Sequence, residues 1–155
     1  MKKNNRYLNR IRKTGIAIFI IFLISVFFLI CCSKFKTYYV GVMCGLNFFA
    51  ETTDGFKERM TELGYIEDKN IIYDVQKTDF DMAVYDRILK KFVEDKVDLI
   101  FAFPTEAAMQ AKEVARGTGI PVVFANAYTE NTGLVNTVQE PGGNITGVRI
   151  VIDDD

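Results

Sequence analysis

A long apolar run close to the start of the chain limits what this protein can be more than any other feature. Residues 15–32 contain a single polar side chain, Ser25, and the residues before them hold six basic side chains and no acidic one. Packed on a small soluble core, such a run would leave an apolar face in water. Its length lies between the apolar centre of a signal peptide, about 7–15 residues, and a spanning helix of about 20 residues. The run therefore indicates a membrane-directed segment.

The end of this run favours one of two membrane interpretations. Residues 29–33, Leu-Ile-Cys-Cys-Ser, resemble the lipobox of bacterial lipoproteins, in which a cysteine thiol takes a diacylglyceryl group and becomes the new N-terminus. We predict that residues 1–32 are a signal peptide with a lipobox, lipidated at Cys32. The alternative is an uncleaved membrane anchor. In both cases the basic end stays in the cytoplasm, and the rest of the chain is held at the cell membrane, facing outward.

The charge and composition of the rest of the chain exclude several classes of function. Six of the 19 basic residues lie in the N-terminal segment, so 13 basic and 20 acidic residues remain, a net charge of −7. Such a surface repels polyphosphate, and nucleic acid is not an expected partner. The chain has no histidine, and Cys31, Cys32 and Cys44 show no metal-ligand spacing. We therefore predict no catalytic residue, metal or cofactor, and no enzyme activity.

After a short linker at residues 33–37, segments typical of strands and helices alternate along residues 38–155. Apolar, β-branched and aromatic runs predict strands over residues 38–43, 71–75, 98–103, 120–125 and 145–152. Apolar positions at helical spacing predict helices over residues 49–63, 82–93 and 106–116. The predicted apolar face of the first helix holds Phe49, Phe56, Met60 and Leu63, and that of the second holds Met82, Tyr85, Ile88, Leu89, Phe92 and Val93.

Continuous apolar strands separated by helices predict an α/β fold with a doubly wound, mostly parallel sheet. Helices then cover both faces of the sheet. Right-handed crossovers make 2-1-3-4 the simplest strand order, with the first strand inside the sheet. Residues 145–152 would add a fifth strand if they pair.

Ligands bind to sheets of this kind beyond the carboxyl ends of the strands, which places three loops at the site, residues 44–48, 104–106 and 126–131. Thr105 is expected to be the N-cap of its helix, beside backbone amides that attract an anion. The alternative is that Thr105 only caps the helix. The candidate ligand-binding residues are Asn47, Thr105, Glu106, Asn126, Tyr128 and Thr129.

Six short motifs in order resemble one known family. They are FKERM at residues 56–60, LGYIE at 63–67, VDLI at 97–100, IPVVF at 120–124, GLV at 133–135 and PGGNITGV at 141–148. Together they resemble the ABC-transporter solute-binding lipoproteins, a family that includes tryptophan- and tyrosine-binding proteins. The resemblance covers residues 38 to about 149. One departure matters for the site: Glu106 replaces a proline common in the family and puts a carboxylate near the proposed anion site.

The resemblance implies a type I periplasmic-binding fold, in which two lobes close on a small ligand. Residues 38–155 would be the N-terminal lobe, with the second lobe absent. The implied function is a truncated or partial extracytoplasmic solute-binding component of an ABC-type importer, which binds a small molecule such as an aromatic amino acid and works with an ABC permease. A ligand-input module of a signalling system is the alternative.

Overall fold

Strands and helices alternate throughout the described part of the chain, residues 36–46 and 50–151 of a computed structural model. The elements all belong to one compact unit, Thr37–Asp155. The predicted signal peptide, Cys32 and Asn47 lie outside the described residues. The elements are β1 (Tyr38–Cys44), α1 (Ala50–Glu62), β2 (Ile71–Lys77), α2 (Met82–Glu94), β3 (Leu99–Phe103), α3 (Thr105–Val114), β4 (Val122–Ala127) and β5 (Ile145–Arg149).

The strands form one parallel sheet with the order β2-β1-β3-β4-β5. β1 lies inside the sheet, where Val42 is opposite both Val75 of β2 and Phe101 of β3. The predicted α/β fold and strand order are confirmed, and the fifth strand pairs as well. The chain winds from β1 to β2 in one direction and then to β3 on the other side of β1. The point at which the winding reverses therefore lies between β1 and β3, and ligands of such sheets bind there.

Helices cover the sheet from both sides. On one side lie α2 and α3, whose fully buried residues include Tyr85, Leu89, Phe92, Ala107, Ala108 and Ala111. They belong to one apolar cluster with Met43, Ile100, Ala102, Val122 and Phe124 of the sheet. On the other side Phe56 and Met60 of α1 pack against a second cluster, which includes Val42, Phe101 and Phe103. Each large side chain buried in this way contributes about 1.5–3 kcal/mol to stability.

A glycine in β1 lets α2 approach the sheet closely. A Cβ atom at Gly41 would lie 2.5 Å from the ring of Phe92. Real Cβ atoms do not come this near to a neighbouring atom, and the ring belongs to the fully buried core. The tight packing of α2 against β1 thus depends on the absence of a side chain at this position.

The first helix ends one residue earlier than predicted, at Glu62 and not at Leu63. Leu63 was expected on the buried face but is 56% exposed, because α1 ends at Glu62. Gly64 has a φ of +90° and turns the chain, as glycines after helices commonly do. Tyr65 then packs on the sheet in place of Leu63, with its ring edge-on to Tyr38 at a centroid distance of 5.4 Å. Phe49, predicted on the same face, lies outside the described residues.

Met82 was also predicted to face the core and is 48% exposed. It is the first residue of α2 and therefore lies at the end of the helix. The helix begins there because Asp81 caps it: its carboxylate accepts hydrogen bonds from the amides of Ala83 and Val84, at 3.0 and 3.2 Å. None of the helices within residues 36–46 and 50–151 is long and apolar enough to span a membrane.

Candidate functional site

The loops after the three neighbouring strands β2, β1 and β3 are joined by backbone hydrogen bonds. We call the edge of the sheet at which the strands end the carboxyl edge. There the amide of Gly45 donates to the carbonyl of Phe103 at 2.8 Å, and the amide of Thr78 donates to the carbonyl of Cys44 at 3.2 Å. The amide of Phe80 donates to the carbonyl of Gly45 at 2.9 Å. The carboxyl edge around the winding reversal is thus a connected surface.

Thr105 does not cap its helix, so that prediction is wrong. α3 begins at Thr105, its N-cap is Pro104, and no side chain caps the first turn. The hydroxyl oxygen of Thr105 instead accepts a hydrogen bond from the amide of Tyr128 at 3.0 Å. This contact fixes the loop after β4 to the start of α3. It brings two of the predicted site residues, Thr105 and Tyr128, directly together.

Asn126 lies in a strand, where a loop was predicted. β4 runs to Ala127, which pairs with Arg149 after a shift in register that accommodates Asn126. Asn126 has a φ of +49°, a conformation that asparagine tolerates better than most residues. Its amide nitrogen Nδ2 donates to the hydroxyl of Thr52, in the first turn of α1, at 2.6 Å. Asn126 therefore connects the end of β4 to the helix that follows β1.

Thr129 is buried, at 9% exposure, and turned toward its neighbour. Its amide and hydroxyl both donate to Oε2 of Glu130 at 3.2 Å. The other carboxylate oxygen of Glu130 pairs with Arg149 at the end of β5. Thr129 thus belongs to a polar cluster that joins the loop after β4 to β5.

Glu106 lines a groove on the outside of α3. The groove has a volume of about 490 Å³ and is also lined by Met82, Met109, Gln110, Lys112, Glu113 and Gly133. Of the predicted site residues that the structure describes, Glu106 alone lines it. Glu106 directly follows Thr105 in the first turn of α3, so the groove adjoins the carboxyl edge.

Two buried hydroxyl groups lie beneath the carboxyl edge. Neither Tyr85 OH nor Thr78 Oγ1 forms a hydrogen bond of ordinary geometry with another described residue. A Cβ at Gly45 would lie 2.4 Å from the Tyr85 hydroxyl, so the glycine allows the ring to fit under the loop. Burial raises the pKa of Tyr85, and the nearby Thr78 hydroxyl acts in the opposite direction. At neutral pH the phenol is therefore protonated and uncharged.

Cys44 is not placed to act as a nucleophile. It is fully buried, and its thiol donates to the carbonyl of Leu46 at 2.9 Å. Burial raises the pKa of this thiol, which keeps it in the unreactive protonated form.

The structure thus brings Thr105, Asn126 and Tyr128 to the carboxyl edge, while Asn47 lies outside the described residues. Two residues at this edge were missed from the sequence. Thr52 comes shortly after the loop at residues 44–48, which was predicted to bind ligand. Its place in the first turn of the following helix could have indicated that it lies at this edge. Phe80, 43% exposed, lies in the connection between β2 and α2, for which no ligand-binding role was predicted.

Comparisons with known proteins agree with this architecture. A tyrosine-binding protein of Clostridioides difficile (strain R20291) is 37% identical over 95 residues, which are 60% of this chain and 27% of that protein. The ligand-free, open structure of CD0873, a substrate binding protein with adhesive properties from Clostridium difficile, superposes with a TM-score of 0.68. It is 28% identical, and the match covers 77% of this chain and 40% of that one.

A third similarity shows the fold alone. The ABC domain from Streptococcus pneumonia in complex with L-Trp is 24% identical with a TM-score of 0.66, over 74% of this chain and 39% of that one. The chain therefore spans less than half the length of these relatives. The profile of the family described as ABC transporter substrate binding protein matches residues 42–154, most of the chain. Sequence motifs, sheet order and profile agree, and the chain belongs to the ABC transporter substrate binding protein family.

Proposed function

We propose that residues 38–155 form one ligand-binding lobe of the extracytoplasmic substrate-binding component of an ABC importer. The ligand is a small molecule such as an aromatic amino acid, held between the carboxyl edge and a second lobe. The family match supports the general role, and the name of one relative, a tyrosine-binding protein, supports the ligand class. Members of this family are binding proteins, and we propose no enzymatic activity for this chain.

One observation carries the proposal: polar side chains of α1, α3 and β4 lie together at the carboxyl edge. Asn126 bonds to Thr52 at 2.6 Å, and Thr105 accepts from the amide of Tyr128 at 3.0 Å. These bonds hold the polar groups in place before a ligand arrives, which lowers the ordering cost of binding. Within the described residues, the side-chain carbonyl oxygen of Asn126 and the hydroxyl proton of Thr105 have no partner, and we propose that they bind the ligand. Glu106 is the least supported of the proposed contacts, because it lines the groove beside α3.

A single lobe covers only one side of the ligand. Closed small-molecule sites bury about 70–90% of a ligand's surface. If a two-lobed protein binds at about 1 μM, near −8 kcal/mol, half of the contacts correspond to a Kd of about 1 mM. We therefore expect millimolar binding by this chain and micromolar binding when a second lobe is supplied.

Calorimetric titration with L-tryptophan and L-tyrosine tests the proposal. Measurements are made with this chain alone and with the second lobe of the tyrosine-binding relative added in trans. Thr105→Ala and Asn126→Ala should each weaken binding. Thr118→Ala is the matched control, because its hydroxyl donates to the carbonyl of Ala115 at 2.7 Å beyond the far end of α3. Unchanged binding in both site variants, or tight binding by this chain alone, would show that the ligand site does not lie at the carboxyl edge.

We further propose that a diacylglyceryl group on Cys32 holds the protein at the outer side of the membrane, where it meets an ABC permease. The apolar run and the lipobox-like residues 29–33 support this. Cys32→Ser should leave an unprocessed precursor of higher mass, while Cys31→Ser should be processed normally. No processing of the wild type or of either variant would favour an uncleaved membrane anchor.

A further inference from the structure

Among the described residues, two aromatic side chains are exposed at the carboxyl edge, close to the proposed ligand contacts. Phe80 and Tyr128 are each 43% exposed. Tyr128 was predicted to contact the ligand, whereas Phe80 has had no role so far. Small-molecule sites are lined mainly by apolar and aromatic side chains with a few polar groups. The aromatic residues of this edge are therefore as relevant to the ligand as its amides and hydroxyls.

Both residues are fixed to the central strands of the sheet. Phe80 follows the outermost strand β2, but its amide donates to the carbonyl of Gly45, directly after β1, at 2.9 Å. Tyr128 follows β4, and its amide bonds to Thr105, which begins the helix after β3. β1 and β3 are neighbours, with Cys44 paired to Phe103, and neighbouring strands lie about 4.8 Å apart. The two aromatic residues are thus anchored on the two sides of the winding reversal.

Phe80 holds this position in a backbone conformation that is unusual for an aromatic residue. Its φ is +66°, and that of Asp79 before it is +48°, both in the left-handed region that favours glycine. Such conformations persist only where surrounding contacts enforce them, and they cluster at ligand sites. Here the hydrogen bond from Phe80 to Gly45 and that from the amide of Asp81 to the carbonyl of Thr78, at 3.1 Å, enforce the turn.

We propose that Phe80 contacts the bound ligand and forms, with Tyr128, an aromatic pair that selects ligands carrying an aromatic ring. This inference rests on the proposed function and specifies its ligand class. Offset or edge-to-face contact between rings stabilises a complex beyond the burial of apolar area, and an aliphatic side chain does not supply it. Thr105 and Asn126 bind groups common to all amino acids, so they cannot make this distinction. The aromatic pair can.

The test compares an aromatic with an aliphatic amino acid on the full chain. L-tryptophan and L-leucine are titrated separately, and each Kd is measured by saturation-transfer NMR, which detects millimolar binding. The chain contains no tryptophan, so the indole emission of L-tryptophan gives a second measurement free of a protein tryptophan signal.

The variants are Phe80→Leu, which keeps apolar bulk without a ring, and Phe80→Gly, which suits the left-handed backbone and so preserves the turn. Tyr39→Leu is the matched control, because this ring is 50% exposed near the start of β1, far from the carboxyl edge. Both Phe80 variants should raise the Kd for L-tryptophan about two- to ten-fold. They should keep the Kd for L-leucine within about two-fold of the wild-type value. Tyr39→Leu should change neither constant.

Two outcomes separate this inference from the function on which it rests. If Phe80 variants leave the Kd for L-tryptophan unchanged while Thr105→Ala weakens both ligands, the binding site stands and the aromatic pair does not. An equal rise for both ligands in the Phe80 variants also overturns the selection of rings. If neither amino acid binds to the wild-type chain, both proposals are wrong.

Discussion

The side-chain amide of Asn126 donates to the hydroxyl oxygen of Thr52 at 2.6 Å, across 74 positions of sequence. Asn126 also has a φ of +49°, so the hydrogen bond and a left-handed backbone conformation both constrain this residue. Asn126→Gly removes the hydrogen bond and should cost about 0.5–1.5 kcal/mol of unfolding free energy. Asn126→Ala removes it too and adds about 1–2 kcal/mol of left-handed strain. Urea denaturation of both variants checks this, and equal stability of the two would contradict the backbone assignment.

Two glycines should respond in opposite ways to the same substitution. Gly41→Ala places a Cβ 2.5 Å from the ring of Phe92, and overpacking of this kind costs about 1–3 kcal/mol. Gly55 lies in α1, and a Cβ there would meet nothing within 4 Å. Gly55→Ala should therefore stabilise the protein by about 0.5–1 kcal/mol. Thermal unfolding of both variants tests this, and a raised Tm for Gly41→Ala would show that the packing of α2 on β1 is looser than described.

The sheet could be predicted from the sequence because its strands are local patterns. Each is a short apolar run between turn residues, and the crossover rule then leaves few orders to consider. The error at the end of β4 arose because a long-range contact decided the local structure. β4 extends through Asn126 because Ala127 pairs with Arg149 of β5, a strand 18 residues further on. Nothing within the loop itself indicated this.

Only the meeting of the candidate loops at one edge of the sheet was predictable from the sequence. The carboxyl edge follows from the strand order, and the loops after β3 and β4 do meet there. The partners of each side chain were not predictable: Thr105 bonds to Tyr128, 23 residues away, instead of capping its own helix. Phe80 was missed because its position depends on a hydrogen bond to Gly45 and on a left-handed backbone, and neither has a sequence signal at a phenylalanine.

Because the Cys44 thiol is buried, the unfolding free energy should fall as the pH rises into the alkaline range. Burial raises the pKa of Cys44 above that of the unfolded chain, about 8.5, so the unfolded state loses its proton first as the pH rises. The contribution is complete below about pH 8.5 and is lost as the pH rises toward the folded-state pKa. Unfolding free energies measured from neutral pH to about pH 10 should fall more steeply for the wild type than for Cys44→Ala. Parallel curves would show that the thiol is not desolvated.

Backbone amide shifts of the isotope-labelled chain show whether the ligand binds at the carboxyl edge. L-tryptophan is added to about 10 mM, enough to saturate a site with a Kd of about 1 mM. The largest shifts should occur at Gly45, Phe80, Thr105, Asn126 and Tyr128, the residues that follow or close β1 to β4. Shifts concentrated instead along the groove between Met82 and Met109, or at the start of the strands, would contradict binding at this edge.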